Sequence, residues 1–137
     1  MHLEHINLVV KNLEQSLLFY KATFPHWKIR SLGESNWYQY KRKWLHFGDD
    51  YQYIALSDHG AGDNRDLKGN QVGLAHFAYV VHDIQALEKR MLNAGFKCSI
   101  SITADKFRKK TYYIDPDGFE IEFVQYTSDL PDERNAD

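Results

Sequence analysis

The chain has a single cysteine, Cys98, among 137 residues, so no internal disulfide is possible and a reducing cytoplasmic setting is expected. It also lacks a basic excess. Seventeen Lys and Arg against nineteen Asp and Glu leave a formal charge of −2, which argues against a nucleic-acid partner. No apolar run approaches the roughly 20 residues of a membrane span. The opening Met-His-Leu-Glu has neither the basic start nor the apolar stretch of a secretion signal, so no membrane partner is expected. What is present suits one compact domain: 43% of residues are hydrophobic and 15% are aromatic. That is enough for a core, with rings left to line a cleft or an interface.

An internal repeat organises the chain. His5-Ile6-Asn7-Leu8-Val9-Val10-Lys11-Asn12-Leu13 recurs as His76-Phe77-Ala78-Tyr79-Val80-Val81-His82-Asp83-Ile84, at an offset of 76 − 5 = 71. Further on, Trp44–Leu56 matches Thr111–Phe123 at an offset of 122 − 55 = 67. Repeats decide architecture before local propensity does.

Within each copy, turn and cap signals divide the chain. Residues 3–10 read as a strand, Asn12 as an N-cap with Gln15 at capping-box spacing, and Leu13, Leu17, Tyr20 and Phe24 as the apolar positions of a helix ended by Pro25. Strands are expected at 27–32, 37–47 and 51–57, separated by Gly33 and by Gly48-Asp49-Asp50. The glycine-rich stretch 59–71 reads as a connector. The pattern restarts with a strand at 73–81, Asp83 as N-cap, and a helix carrying Ile84, Leu87, Met91 and Leu92, with Gly95 as its C′ residue. Strands near 96–101, 107–114 and 119–126 complete the copy, with Asp115-Pro116-Asp117-Gly118 as a tight turn.

The expected architecture is α+β: two βαβββ modules, residues 1–58 and 72–126, related by a pseudo-twofold. They form one domain over 1–126 with a curved, mostly antiparallel sheet and the helices outside. Residues 127–137 read as a loose polar tail. Neither module can bury enough surface alone, so the two pair within a chain or exchange between two chains. Open curved sheets leave uncovered edges and apolar surface, so a homodimer is expected.

Strand parity then assigns faces. Ile6, Leu8 and Val10 oppose His5, Asn7 and Val9; Phe77, Tyr79 and Val81 oppose His76, Ala78 and Val80; Ile121 and Phe123 oppose Glu120 and Glu122. With the larger apolar sets under the helices, His5, His76 and Glu122 fall on the open face. Two imidazoles and a carboxylate converging on a cleft suit a divalent metal ion with positions left for water or substrate. The repeat partner of Glu122 is Ala55, which cannot ligate.

The opening His5–Val10, the second-module His76-Phe77-Ala78, and Tyr113-Ile114-Asp115-Pro116-Asp117-Gly118-Phe119-Glu120-Ile121-Glu122 together resemble the vicinal oxygen chelate superfamily over residues 3–126. That superfamily includes glyoxalase I, extradiol dioxygenases, fosfomycin-resistance enzymes and bleomycin-resistance proteins. The resemblance implies metal ligands at His5, His76 and Glu122. Ala55, where glyoxalase I has a glutamate, counts against that activity. Phe107-Arg108-Lys109-Lys110, in place of a polar loop with Ser and Glu, counts against fosfomycin modification. The resemblance also points Tyr112 into the cleft. Parity then adds Lys110 and Arg108, and the 67-residue offset adds Lys43 and Lys41.

Two functions follow as expectations. One is a metal-dependent enzyme acting on a small, oxygen-rich anionic substrate, with Asn7, Lys43, Lys110 and Tyr112 contacting it and Glu120 or Tyr112 as candidate proton-transfer groups. The other is a metal-free protein that sequesters a ligand in an aromatic cleft, as bleomycin-resistance proteins do.

Overall fold

The computed structural model describes residues 1–136; Asp137, the end of the expected tail, lies outside the described residues. The chain divides into two compact units, Met1–Asp63 and Asn64–Asp137. The division falls inside the expected connector.

The first unit runs β1 (His5–Val9), α1 (Leu13–Thr23), β2 (Lys28–Trp37), β3 (Tyr40–Gly48) and β4 (Tyr53–Ser57). Its sheet has the order β1-β4-β3-β2, with β1 parallel to β4 and the other pairs antiparallel. The second unit runs β5 (Phe77–Val80), α2 (Ile84–Asn93), β6 (Ile100–Ala104), β7 (Arg108–Ile114) and β8 (Glu120–Tyr126). Its order is β5-β8-β7-β6, again with one parallel pair. Each unit is therefore the expected βαβββ module with an open, mostly antiparallel sheet. The tail carries a short helix, α3 (Pro131–Arg134), where a loose segment was expected.

The local signals act as their chemistry requires. Asn12 Oδ1 accepts from the Gln15 N–H at 3.0 Å, and Asp83 Oδ1 accepts from the Ala86 N–H at 2.9 Å, satisfying donors at the two helix starts. Gly95, at φ 88°, closes α2. Its N–H donates to Leu92 O and the next N–H, of Phe96, to Met91 O, the paired bonds of a Schellman motif. Asp115 is buried, and its Oδ1 accepts from the Asp117 and Phe119 N–H groups at 2.9 Å, while Gly118 supplies the positive φ.

Two expectations fail in instructive ways. Gly33 does not end a strand: β2 passes through it to Trp37, and the turn lies at Tyr38–Gln39. Gly33 sits opposite Trp44, where an added Cβ would stand 2.9 Å from Trp44 Cζ2. The glycine makes room for an indole. In α1 the buried residues are Ser16, Phe19, Tyr20 and Thr23 rather than the stripe through Leu13, Leu17 and Phe24. The two small polar residues tolerate burial because their hydroxyls donate to main-chain carbonyls one turn back, Ser16 to Asn12 and Thr23 to Phe19.

In the first unit Leu8, Leu45, Phe47, Ile54 and Leu56 are buried, Phe24 and Trp27 stack, and Trp27 meets Phe47 edge-on. In the second, α2 packs on β7 and β8, burying Ile84, Leu87 and Met91 along with Tyr113, Ile121 and Phe123. In both units the apolar parity set faces inward, so His5, Asn7 and Glu122 lie on the opposite, open face of their sheets.

Candidate functional site

In the second unit three predicted residues meet. Tyr112 lies directly opposite Glu122 on the neighbouring strand, and Glu122 opposite Ala78. The Tyr112 hydroxyl donates to Glu122 Oε1 at 2.8 Å, and the other carboxylate oxygen, Oε2, faces His76 Nε2 at 3.3 Å. The His76 and Tyr112 rings meet edge to face, centroids 5.7 Å apart. Burial, and then the hydrogen bond to Glu122, push the Tyr112 phenol up to about 12, so at neutral pH it is a donor that fixes the carboxylate. Glu120 pairs with Ile114 one row away on the same face, and Lys110 lies two residues before Tyr112 on that face. Among the described residues Lys110 has no ion-pair partner.

The first unit contributes a ring cluster. His5 is paired with Tyr53 across β1 and β4, and its imidazole stacks on that phenol at 4.5 Å with 12° between planes. His46 stacks on the same phenol, also at 4.5 Å, and Trp44 lies 5.1 Å from His46. Asn7, Ala55, His46 and Ser31 form one row across the sheet, with Ser31 Oγ 3.2 Å from His46 Nδ1. Burial lowers the His46 pKa below its ordinary 6.5, and the neighbouring His5 and Arg30 add to the effect, so the ring is neutral at pH 7.

The expectation for Lys43 and Lys41 is corrected by this row. His46 stands opposite Ala55, nine positions on (55 − 46 = 9), whereas Tyr112 stands opposite Glu122, ten positions on (122 − 112 = 10). The first hairpin is one residue shorter, and a one-residue slip in a strand moves every side chain to the other face. Arg42, Trp44 and His46 therefore share the face of His5, while Lys43 and Lys41 share that of Leu45 and Phe47. Lys43 instead borders a cavity of about 300 Å³ with Glu34, Lys41, Arg42 and Asp58. Arg42 reaches Ser57 Oγ at 2.7 Å and covers the Trp37 ring. Arg42, Trp44 and His46 are thus the open-face residues that sequence reasoning missed; the count of residues between paired positions in the two hairpins is the signal that finds them.

Among the described residues no group of three or more His, Cys, Asp or Glu side chains stands together as a metal cluster. The donor chemistry nevertheless fits a divalent ion. Two donors each about 2.1 Å from one ion and near right angles lie roughly 3 Å apart, close to the 3.3 Å between His76 Nε2 and Glu122 Oε2. His5 is part-exposed on its open face with Nδ1 engaged by Glu4, which leaves Nε2 available.

Two βαβββ units with open, mostly antiparallel sheets define an α+β fold class. The chain belongs to the Glyoxalase/Bleomycin resistance protein/Dioxygenase superfamily, whose family model matches residues 2–123. No curated protein matches the sequence. Among solved structures, a glyoxylase/bleomycin resistance protein/dioxygenase domain from Frankia sp. EAN1pec is similar at a TM-score of 0.75 and 22% identity, covering 92% of this chain and 98% of that one. A lactoylglutathione lyase from Agrobacterium tumefaciens is similar at 0.58 and 16%, covering 90% and 92%. A fosfomycin resistance protein from Listeria monocytogenes, crystallised with Mn(II) and a dihydroxypropylphosphonic acid, is similar at 0.67 and 16%, covering 98% of each. At these identities the likeness concerns the fold.

Proposed function

We propose that the protein is a metal-dependent enzyme acting on a small, oxygen-rich anionic substrate, with His5, His76 and Glu122 as the ligands of a divalent ion. The observation that carries this reading is the Tyr112–Glu122–His76 arrangement, in which a phenol holds one carboxylate oxygen and the other faces an imidazole nitrogen at 3.3 Å. An ion held there supplies Lewis acidity to substrate oxygens. The protein's own groups do the rest. Lys110 and Arg108 draw an anion to the open face, Asn7 orients it through hydrogen bonds, Tyr112 contacts it with its ring while holding Glu122, and Glu120 is the carboxylate left to move a proton. Arg42, on the open face of the first unit, takes the cationic role first expected of Lys43.

The protein works as a homodimer in the reducing cytoplasm, the latter consistent with its lone Cys98 thiol. No helix among the described residues is long and apolar enough to cross a membrane.

Calorimetric titration with Mn(II) and Ni(II) tests the reading. Wild type should bind about one ion per chain, His76→Ala should bind at least tenfold more weakly without unfolding, and a triple alanine variant should not bind. Equal binding by wild type and the triple variant defeats the proposal. The His5–Tyr53–His46–Trp44 rings favour a second reading, a metal-free protein that sequesters a ligand in an aromatic cleft. Absence of metal binding by wild type selects it.

A further inference from the structure

The two histidines of the proposed site are held differently. His76 faces the carboxylate of Glu122, the third residue of β8. Its counterpart His5 has no such neighbour, because the matching position is Ala55. Yet His5 is not without a carboxylate: Glu4 Oε2 lies 2.9 Å from its other ring nitrogen, Nδ1. The residue that matches Glu4 in the second unit is Ala75 (4 + 71 = 75), so the arrangement belongs to the first unit alone.

We propose that Glu4 is the positioning residue of His5: its carboxylate holds the imidazole proton on Nδ1 and reserves the Nε2 lone pair for a cation. An ionised carboxylate accepts hydrogen bonds and donates none. At 2.9 Å the proton between the two groups therefore belongs to Nδ1, and in the neutral ring Nε2 must carry the lone pair. Two further contacts keep the pair in register. The Tyr53 N–H donates to the Glu4 carbonyl at 3.1 Å, stitching Glu4 to β4 although it precedes β1. The Tyr53 ring, parallel to the imidazole at 4.5 Å, sets its plane. The main chain thus anchors the carboxylate, the carboxylate fixes the tautomer, and the phenol fixes the plane. Outer carboxylates commonly serve metal-binding histidines in this way. Here the arrangement also gives a negative charge to the unit whose match to Glu122 is Ala55.

The inference rests on the reading that His5 binds a metal, and the test separates the two. Long-range ¹H–¹⁵N correlation spectra of the metal-free protein, at a pH where imidazoles are neutral, should show His5 as the Nδ1–H tautomer. Glu4→Ala should return it to the Nε2–H form usual in water. Glu4→Gln, whose amide can accept or donate, should give a mixture. Calorimetry with Mn(II) should follow the same order: binding by Glu4→Ala weaker than wild type by roughly 10–100-fold, with Glu4→Gln between them, and no effect of Glu4→Ala in a His5→Ala background. A wild-type His5 in the Nε2–H form overturns the proposal, as does metal affinity indifferent to Glu4→Ala in a protein that binds metal through His5. A Glu4-dependent tautomer in a protein that binds no metal defeats the metal reading and leaves the hold of Glu4 on His5 standing.

Discussion

Tyr113→Phe is a stringent test of the core of the second unit. Tyr113 is 1% exposed, packs edge-on against Phe123 with centroids 6.0 Å apart, and its hydroxyl has no hydrogen-bond partner among the described residues. Leaving a buried hydroxyl unsatisfied costs about 1–3 kcal/mol. Removing it while keeping the ring should therefore leave stability unchanged or raise it by about 1 kcal/mol. Ionisation gives a second, independent magnitude. Burial pushes the Tyr113 phenol up from 10 to about 12, with smaller contributions from Cys98 and Glu88. The fold thus favours the neutral form. Its contribution is complete below pH 10 and is lost as pH rises through about 12. Two units at about 1.4 kcal/mol each come to roughly 3 kcal/mol. Urea denaturation of both proteins at neutral pH and between pH 10 and 12 measures both effects. Because other tyrosines and lysines titrate in the same range, the difference between the proteins is the quantity of interest. The reasoning is refuted if Tyr113→Phe loses 1 kcal/mol or more at neutral pH, or if its alkaline decline matches that of wild type.

Asp115→Ala leaves two main-chain N–H groups of a tight turn without their acceptor, so it should cost about 2–4 kcal/mol in urea denaturation, with Asp115→Asn recovering part; a cost below 1 kcal/mol would contradict the turn analysis. The depressed pKa of His46 means that the unfolded chain binds its proton first, so stability is complete above the ordinary value of 6.5 and declines as pH falls through the folded value. His46→Phe should flatten that acid slope, and an unchanged slope would remove His46 from the account. Ala55→Glu places a carboxylate beside Asn7 and His46. On the proposed metal reading it should tighten Mn(II) binding at least tenfold, about 1.4 kcal/mol. On the metal-free reading it should lower stability by about 1–3 kcal/mol and leave metal affinity alone.

Much of the architecture was legible because its signals are local. Asn12 and Asp83 announce helix starts, Gly95 a helix end and Asp115–Gly118 a turn, and each acts through bonds to residues two to five positions away. The faces of β1, β5 and β8 followed from alternation. Gly33 was misread because its reason for being glycine lies across the sheet, in Trp44, and not in its own neighbourhood. His46 was missed because face assignment on β3 was carried over from the repeat offset, and a turn shorter by one residue defeats an offset without disturbing the similarity it rests on. Glu4 was hidden for another reason. Neighbouring residues in a strand point to opposite sides, so a carboxylate beside a histidine is ordinarily out of reach. Glu4 escapes that rule by preceding the first residue of β1.

The shorter hairpin has a consequence for how duplicated halves become different. Point substitution alters a surface one side chain at a time, whereas losing one codon in a turn and re-pairing the strand exchanges its outward set in a single event. The fold survives such an exchange only if the strand can present an apolar set inward in either register. Around its inner end β3 reads Trp44, Leu45, His46, Phe47, with rings or aliphatic groups at both parities. A segment so ambiguous can offer either set outward, and here it offers the His46 imidazole to Tyr53 and the Trp44 indole to His46.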